Sequence, residues 1–304
     1  MRSFVSQLSI HKLEVFCMVA ELKSISRAAE RLNIAQPVVS AHLKSLADKL
    51  GVSLTERSGR RIALTEEGER VYQWAHDVVI RTHELEREIA DTQSGLAGKA
   101  KVGASMTLGS YVLPSIIASI RQRYPQGEIS VQVTTPILAT DAVLQGECDF
   151  AFTILDPRHE IAGLEVQRVR DEQLILVASN DYGPKKKSVS LEELAELPFV
   201  TAQLRTPRRE IEEHLLMEFG VSRNQIVMEF GHAEAIKQAV RAGAGVAFLF
   251  LSSVNDELAS GLLKRLDTSG MELRVPVYLV RRKNKNLAKF QSMMLDEITR
   301  ALSD

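Results

Sequence analysis

The 304-residue chain has two cysteines, one tryptophan and nine prolines, and no run near the roughly 18 to 20 apolar residues that a membrane span requires. Cys17 lies in a helical apolar pattern and Cys148 precedes Asp149, and neither has a second cysteine or a histidine at metal-ligand spacing. That excludes a disulfide framework or a thiolate metal site and leaves two buried thiols. The stretch Met1 to Ile10 lacks the cationic start and apolar core of a signal peptide, so a cytoplasmic protein is expected. Enzyme motifs are missing at specific atoms. Gly103-Ala104-Ser105-Met106-Thr107 begins like a nucleophile elbow but has Thr107 at the second glycine, and Gly243-Ala244-Gly245 has Phe248 at the third glycine of a dinucleotide loop. His214 and His232 lack a partnered metal-ligand pattern, and no glycine loop ends in Lys-Ser or Lys-Thr. The expectation is a non-enzyme with no catalytic residue, no metal and no cofactor.

What is present is an uneven charge. The net charge of -1 conceals ten Lys and Arg against five acids in residues 1–65, which is +5 there and -6 over the rest. A basic end on a mildly acidic body points to a polyanionic partner at that end only. The basic segment has the pattern of short helices and a hairpin. Leu13, Phe16, Cys17 and Ala20 form one apolar helical face; Ser24 is an N-cap for a second helix carrying Ala28 and Ala29; Asn33-Ile34-Ala35 breaks it. Pro37 then falls in the first turn of a third helix, where its missing N–H costs nothing, and Val39, Leu43, Leu46 and Leu50 follow until Gly51 stops it. Leu54 to Leu64, with Ser58-Gly59 at its middle, has the form of a wing.

Thr65 caps the next segment, with Glu66 and Glu67 in its first turn. From there to about Gln93 no proline occurs, and Val71, Val78 and Leu85 repeat every seven residues beside Ala75, Thr82 and Ile89. A helix of this length with so narrow a seam needs a partner helix, and its charged flanks favour a dimer seam over the alternative of a helix lying on its own domain. Ser94 to Gly98 is expected to end it as a hinge. Beyond Lys99 short strands alternate with helices: strands at Ala100–Ala104, Ile129–Val133 and Phe150–Ile154, then at Leu174–Val177, Phe199–Thr201, Ile226–Phe230, Val246–Phe250 and Val275–Val280. Helices are expected from about Gly109 to Tyr124, up to Gln145, near Arg208–Phe219, over His232–Ala242 and at the C-terminus. Two such series predict two α/β lobes with parallel-rich sheet.

On the third helix the apolar row occupies one side, while Gln36, Pro37, Ser40, Ala41 and Lys44 lie away from it. A helix entering the major groove needs that division: Gln pairs bidentately with adenine, Ala or Pro touches a thymine methyl, and Lys reaches a phosphate. A solvated face has the same pattern.

Together, Ser26-Arg27-Ala28-Ala29-Glu30-Arg31-Leu32, Gln36-Pro37-Val38-Val39-Ser40, Leu43, Leu46, Leu50-Gly51, Leu54, Arg57 and Leu64-Thr65-Glu66-Glu67-Gly68 resemble the LysR-type transcriptional regulators, and the likeness spans the chain. The resemblance implies a winged helix-turn-helix at residues 1–65, a dimerising linker helix at 66–94, and an effector-binding domain at 95–304. That domain is expected to be two Rossmann-like α/β subdomains of the periplasmic-binding-protein type, one at about 99–170 and 273–304, the other at about 171–272. It further implies base reading by Gln36, Pro37, Ser40 and Ala41, a phosphate contact by Lys44, and wing or backbone contacts by Arg57, Arg60 and Arg61. Partners so implied are promoter DNA, a small-molecule effector, further copies of the chain as dimer or tetramer, and RNA polymerase. Ala35 stands where the family usually has a capping Ser, and Thr55 where it usually has Phe.

For the effector, Ser105-Met106-Thr107 follows a strand and precedes a helix, where hydroxyls and free N–H groups converge and an anion is favoured. Thr153 ends another strand and Thr201-Ala202 a third, and the resemblance puts such positions at the cleft. Threonines at strand ends also cap helices; His232 and Glu234 begin a helix of the second lobe, where a place facing the cleft is the alternative to the expected capping or solvated role. A solute-binding or enzymatic α/β protein with an accessory nucleic-acid-binding domain is the alternative.

Overall fold

The computed structural model describes residues 8–58, 61–94, 98–154, 162–182, 188–268, 270–283 and 285–303, without the side chains of 58, 61, 84, 87, 88 and 90–94. Two compact units divide the chain, Met1–Gln93 and Ser94–Asp304.

The first unit is a winged helix-turn-helix. Helices α1 (Ile10–Leu22), α2 (Ile25–Leu32) and α3 (Gln36–Leu50) meet over Leu13, Phe16, Val19, Ala28, Ala29, Val39, Leu43 and Leu46. Each of the large side chains among these contributes about 1.5–3 kcal/mol by burial. The small Ala28-Ala29 pair, both buried, lets α2 approach its neighbours closely. Chain reversals are local: Lys23 (φ 51°), Asn33 (φ 54°) and Gly51 (φ 72°) end α1, α2 and α3 in the left-handed region. The Ser24 hydroxyl accepts from Arg27 N–H at the start of α2. Strands β1 (Thr55–Ser58) and β2 (Arg61–Leu64) make the antiparallel wing, held to the helices by Ile62 N–H to Lys23 O at 3.2 Å.

Helix α4 (Glu66–Ser94) has 29 residues and is about 43 Å long at 1.5 Å per residue. Its heptad row divides in two. Val71, Tyr72, Ala75, Val78 and Val79 pack into the unit's own core, whereas Leu85 and Ile89 are more than half exposed. Of the expected hinge, 95–97 lie outside the described residues.

The second unit is built on one nine-stranded mixed sheet. In chain order its strands are β3 (Lys99–Ser105), β4 (Glu128–Thr134), β5 (Phe150–Ile154), β6 (Leu164–Ser179), β7 (Pro198–Ala202), β8 (Gln225–Phe230), β9 (Val246–Phe250), β10 (Leu263–Leu266) and β11 (Leu273–Arg282). The spatial order is β4-β3-β5-β11-β6-β9-β7-β8, with β10 also on β6. Parallel pairing is confined to the two ends, β3 with β4 and β5, and β7 with β8 and β9. The long β6 and β11 run antiparallel through the middle and join the lobes, with a register shift between Val277 and Tyr278. Helices α5 (Leu113–Arg123), α6 (Pro136–Leu144) and α11 (Lys289–Ser303) cover the first lobe, and α8 (Pro207–Glu218) and α9 (Ala233–Arg241) the second; α7 (Leu191–Ala195) and α10 (Asn255–Ala259) are short.

The structure departs from sequence expectation in three places here. The helix expected from Gly109 opens as a π turn, Leu108–Val112, closed by Leu113 N–H to Leu108 O, because Pro114 has no N–H for a regular ladder. Strand β6 starts ten residues before Leu174. Its first half is polar and is held by pairing with β11, including the cross-strand ion pair Glu165–Arg281 at 2.9 Å. Strand β10 and the two short helices carried no periodic signal.

Candidate functional site

In the first unit the residues expected to face DNA form one exposed strip. Val39, Leu43 and Leu46 are buried, and Gln36, Pro37, Ser40, Ala41 and Lys44 are exposed on the rest of α3. Ala35 precedes the helix without a side-chain cap, and its carbonyl instead accepts from Val38 N–H at 2.9 Å and from Val39 N–H at 3.3 Å. Ser26 on α2 donates to Gln36 Oε1 at 3.2 Å, which orients the amide and leaves its NH2 to point outward. Val38, 41% exposed at the start of α3, was missed from sequence because it sits inside an apolar run. Arg57 is exposed on the wing; Arg60 and the Arg61 side chain lie outside the described residues. Half-buried Thr55 stands at the wing's base. There Thr65 Oγ1 donates to Ser53 O at 2.6 Å and accepts from Gly68 N–H at 2.9 Å, tying wing to α4.

In the second unit a cavity of about 180 Å³ lies where the ends of β3, β4, β7 and β8 meet the starts of α6, α8 and α9. Ser105, Met106, Thr107 and Ala202 line it, as the sequence suggested. Thr153 and Thr201 do not. Successive strand residues face opposite ways, and their neighbours Ile154 and Ala202 are the ones on the cavity. Thr153 is fully buried, and Thr201 is built into an ion-pair network.

Three helices begin at the cavity, each capped by a lining side chain. Thr135 accepts from Leu138 N–H, Thr206 from Arg209 N–H, and the His232 Nδ1 from Glu234 N–H. His232 therefore both caps and lines. With Nδ1 as acceptor, its neutral ring carries the proton on Nε2 as a donor. Thr135-Pro136 and Thr206-Pro207 were legible as an N-cap followed by proline at the first helical position, but went unread. Ser105 is 4% exposed, and its Oγ has no hydrogen-bond partner among the described residues.

The described charges at the cavity are paired. Arg208 Nε pairs with Glu212 Oε1 at 2.8 Å, Arg223 Nη1 with Glu212 Oε2 at 2.9 Å, and Arg223 and Arg209 share Glu213. Two arginines hold the Glu213 carboxyl low against the effect of its burial. Beside the cavity the Tyr111 hydroxyl of the π turn donates to Glu234 of α9, linking one lobe to the other. Burial works against ionisation of Glu234. Hydrogen bonds from Tyr111, Gln238 and Lys237, with the Lys237 charge, nevertheless bring its carboxyl down to about 2. Among the described residues no group of three His, Cys, Asp or Glu is placed to hold a metal, and no helix is long and apolar enough to cross a membrane.

Residues 10–69 match the model of the bacterial regulatory helix-turn-helix protein, lysR family, and residues 93–302 match that of the LysR substrate binding domain. The chain is 31% identical over 289 residues to the HTH-type transcriptional activator CmpR of Synechocystis, covering 95% of this chain and 94% of that protein. It shares its fold with a full-length OxyR variant from Pseudomonas aeruginosa (TM-score 0.70, 24% identity, 97% and 94% of the two chains). Full-length CbnR in complex with its target DNA also shares it (TM-score 0.65, 21% identity, 97% and 100% coverage). With both of its units matched, this chain belongs to the LysR family of bacterial helix-turn-helix transcriptional regulators.

Proposed function

We propose that α3 enters the major groove of promoter DNA, with Gln36, Pro37, Ser40 and Ala41 at base edges and Lys44, Arg57, Arg60 and Arg61 at phosphates. The supporting observation is the division of α3 into a buried row and an exposed polar strip. A small anionic effector occupies the cavity, touching Ser105, Met106, Thr107 and Ala202, and biases the lobes between arrangements it binds unequally. The exposed end of α4 associates with a second copy, as dimer or tetramer, and the DNA-bound assembly engages RNA polymerase. The protein acts by binding and catalyses no reaction.

The test begins with sequences selected by the full-length protein from a random duplex pool, followed by titration of variants against the selected and a scrambled duplex. Gln36→Ala is expected to lose about 1–3 kcal/mol of discrimination at one base pair and little affinity for scrambled DNA. Arg57→Ala is expected to weaken both duplexes alike and reduce the salt slope by about one. Equal losses on both duplexes for Gln36→Ala would count against base reading by α3.

A further inference from the structure

The cavity's lining restricts its occupant more than its position does. Among the described residues, two lining side chains carry formal charge, Arg208 and Glu212, and they neutralise one another at 2.8 Å. Both Glu212 oxygens are engaged, one by Arg208 and the other by Arg223 and Thr201, and the side chain is 3% exposed, so among the described lining residues no carboxylate stands open to an ammonium group. A zwitterionic amino acid thus lacks a partner for its amine. A dianion or phosphate ester finds no net positive charge to offset its second charge. A sugar finds too few polar groups for its hydroxyls, because most of the lining is hydrocarbon: Ile154, Leu174, Ile211, Phe230, Ile236 and Phe250 among others.

One feature of the site nonetheless requires a polar group. The Ser105 Oγ is buried at 4% exposure with no partner among the described residues, a costly state unless an occupant supplies an acceptor. It lines the cavity with the His232 ring and with the starts of α6, α8 and α9, helices of 9, 12 and 9 residues. Each side-chain cap satisfies one first-turn N–H, and the remaining donors and the helix dipoles favour a single negative charge. The volume sets the size: a cavity of about 150 Å³ accepts benzene, so about 180 Å³ accepts a ring or branched chain bearing one carboxylate.

Resting on the assignment of this cavity as the effector site, we propose that its ligand is a monocarboxylate with a compact apolar body of about six to eight carbons, its carboxylate accepting from Ser105. The test is isothermal titration calorimetry of the full-length protein with benzoate, cyclohexanecarboxylate, benzamide, sulfate and glutamate, on the natural sequence and on Ser105→Ala and Ala202→Leu. Saturable binding of the two carboxylates is expected, with benzamide, sulfate and glutamate each at least roughly tenfold weaker. Ser105→Ala should weaken benzoate by roughly tenfold or more, as loss of a hydrogen bond to a charged group does. Ala202→Leu should abolish binding by filling the space, and unchanged circular dichroism and melting of both variants confirm their folding. Sulfate or glutamate binding more tightly than the carboxylates, and losing that binding in Ser105→Ala, would overturn the ligand class and leave the effector site standing. No binding by any of the five, or benzoate binding that survives both substitutions, would overturn the ligand class and the cavity's assignment together.

Discussion

Gly68 is the third residue of α4, and a substitution there sets two effects of opposite sign against each other. Alanine is the better helix former, by at most about 1 kcal/mol. A Cβ at Gly68, however, would lie 2.0 Å from the carbonyl oxygen of Leu54 and 2.9 Å from its carbon. Both are backbone atoms at the root of the wing, so no side chain can rotate away. The same oxygen accepts from Thr65 N–H at 3.3 Å, and the neighbouring Ser53 O accepts from Thr65 Oγ1 at 2.6 Å, so moving Leu54 breaks the tie between wing and helix. Overpacking costs about 1–3 kcal/mol even where a core can shift, and against rigid backbone the upper figure applies. The net expectation for Gly68→Ala is a loss of about 2 kcal/mol. For a unit of this size that is roughly 8–16 °C in melting temperature. Calorimetry of the full-length protein should show the lower melting for the helix-turn-helix unit alone, with weaker binding to selected DNA. A variant as stable as the natural protein would show that the wing root yields freely and refute the argument.

Lys285→Met removes the cation that lies 3.0 Å from Asp149, both side chains being at most 2% exposed. Asp149 keeps the Lys101 N–H at 2.8 Å but loses its buried counter-charge, which should cost about 3–5 kcal/mol in denaturant melts, partly recovered in Asp149→Asn/Lys285→Met. The Glu234 carboxyl is lowered on folding from 4.5 to about 2. Its stabilising share is therefore complete above about pH 4.5 and is lost as pH falls from there toward 2. Acid melts of Glu234→Gln should be flatter across that window than those of the natural protein, and identical slopes would contradict the assignment. Burial pushes the Cys17 thiol up to about 12 and the Cys148 thiol up to about 11. Neither should react with iodoacetamide at pH 7 until denaturant is added, as mass spectrometry would register.

The helix-turn-helix was legible because its apolar rows, caps and breakers agree at every level, and Ser24, Asn33 and Gly51 each terminate or start a helix where expected. The α/β unit was legible as far as its buried strands reached. The first half of β6 was not, because Glu165, Gln167, Arg168 and Arg170 present a polar strand whose stability comes from β11, more than a hundred residues away. In the cavity, hydroxyls at strand ends were the right kind of signal, but Thr153 and Thr201 sit one residue out of phase, and strand parity is set by partners the sequence does not show. The two Thr-Pro helix starts carried a local signal that bears on the site more directly than either.

Because Val71, Tyr72 and Ala75 are embedded in the same core as α2 and α3, the near half of α4 cannot turn without carrying α3 with it. Among the described side chains of the far half, Leu85 and Ile89 are bare. Mechanically, α4 is an arm clamped at one end, and an arm of about 43 Å amplifies angle into distance. A swing of about five degrees displaces its tip by roughly 4 Å, close to the rise of about 3.4 Å between stacked base pairs. Pivoted at its far end instead, the same arm carries α3, packed at its near end, through that distance for a turn of about five degrees.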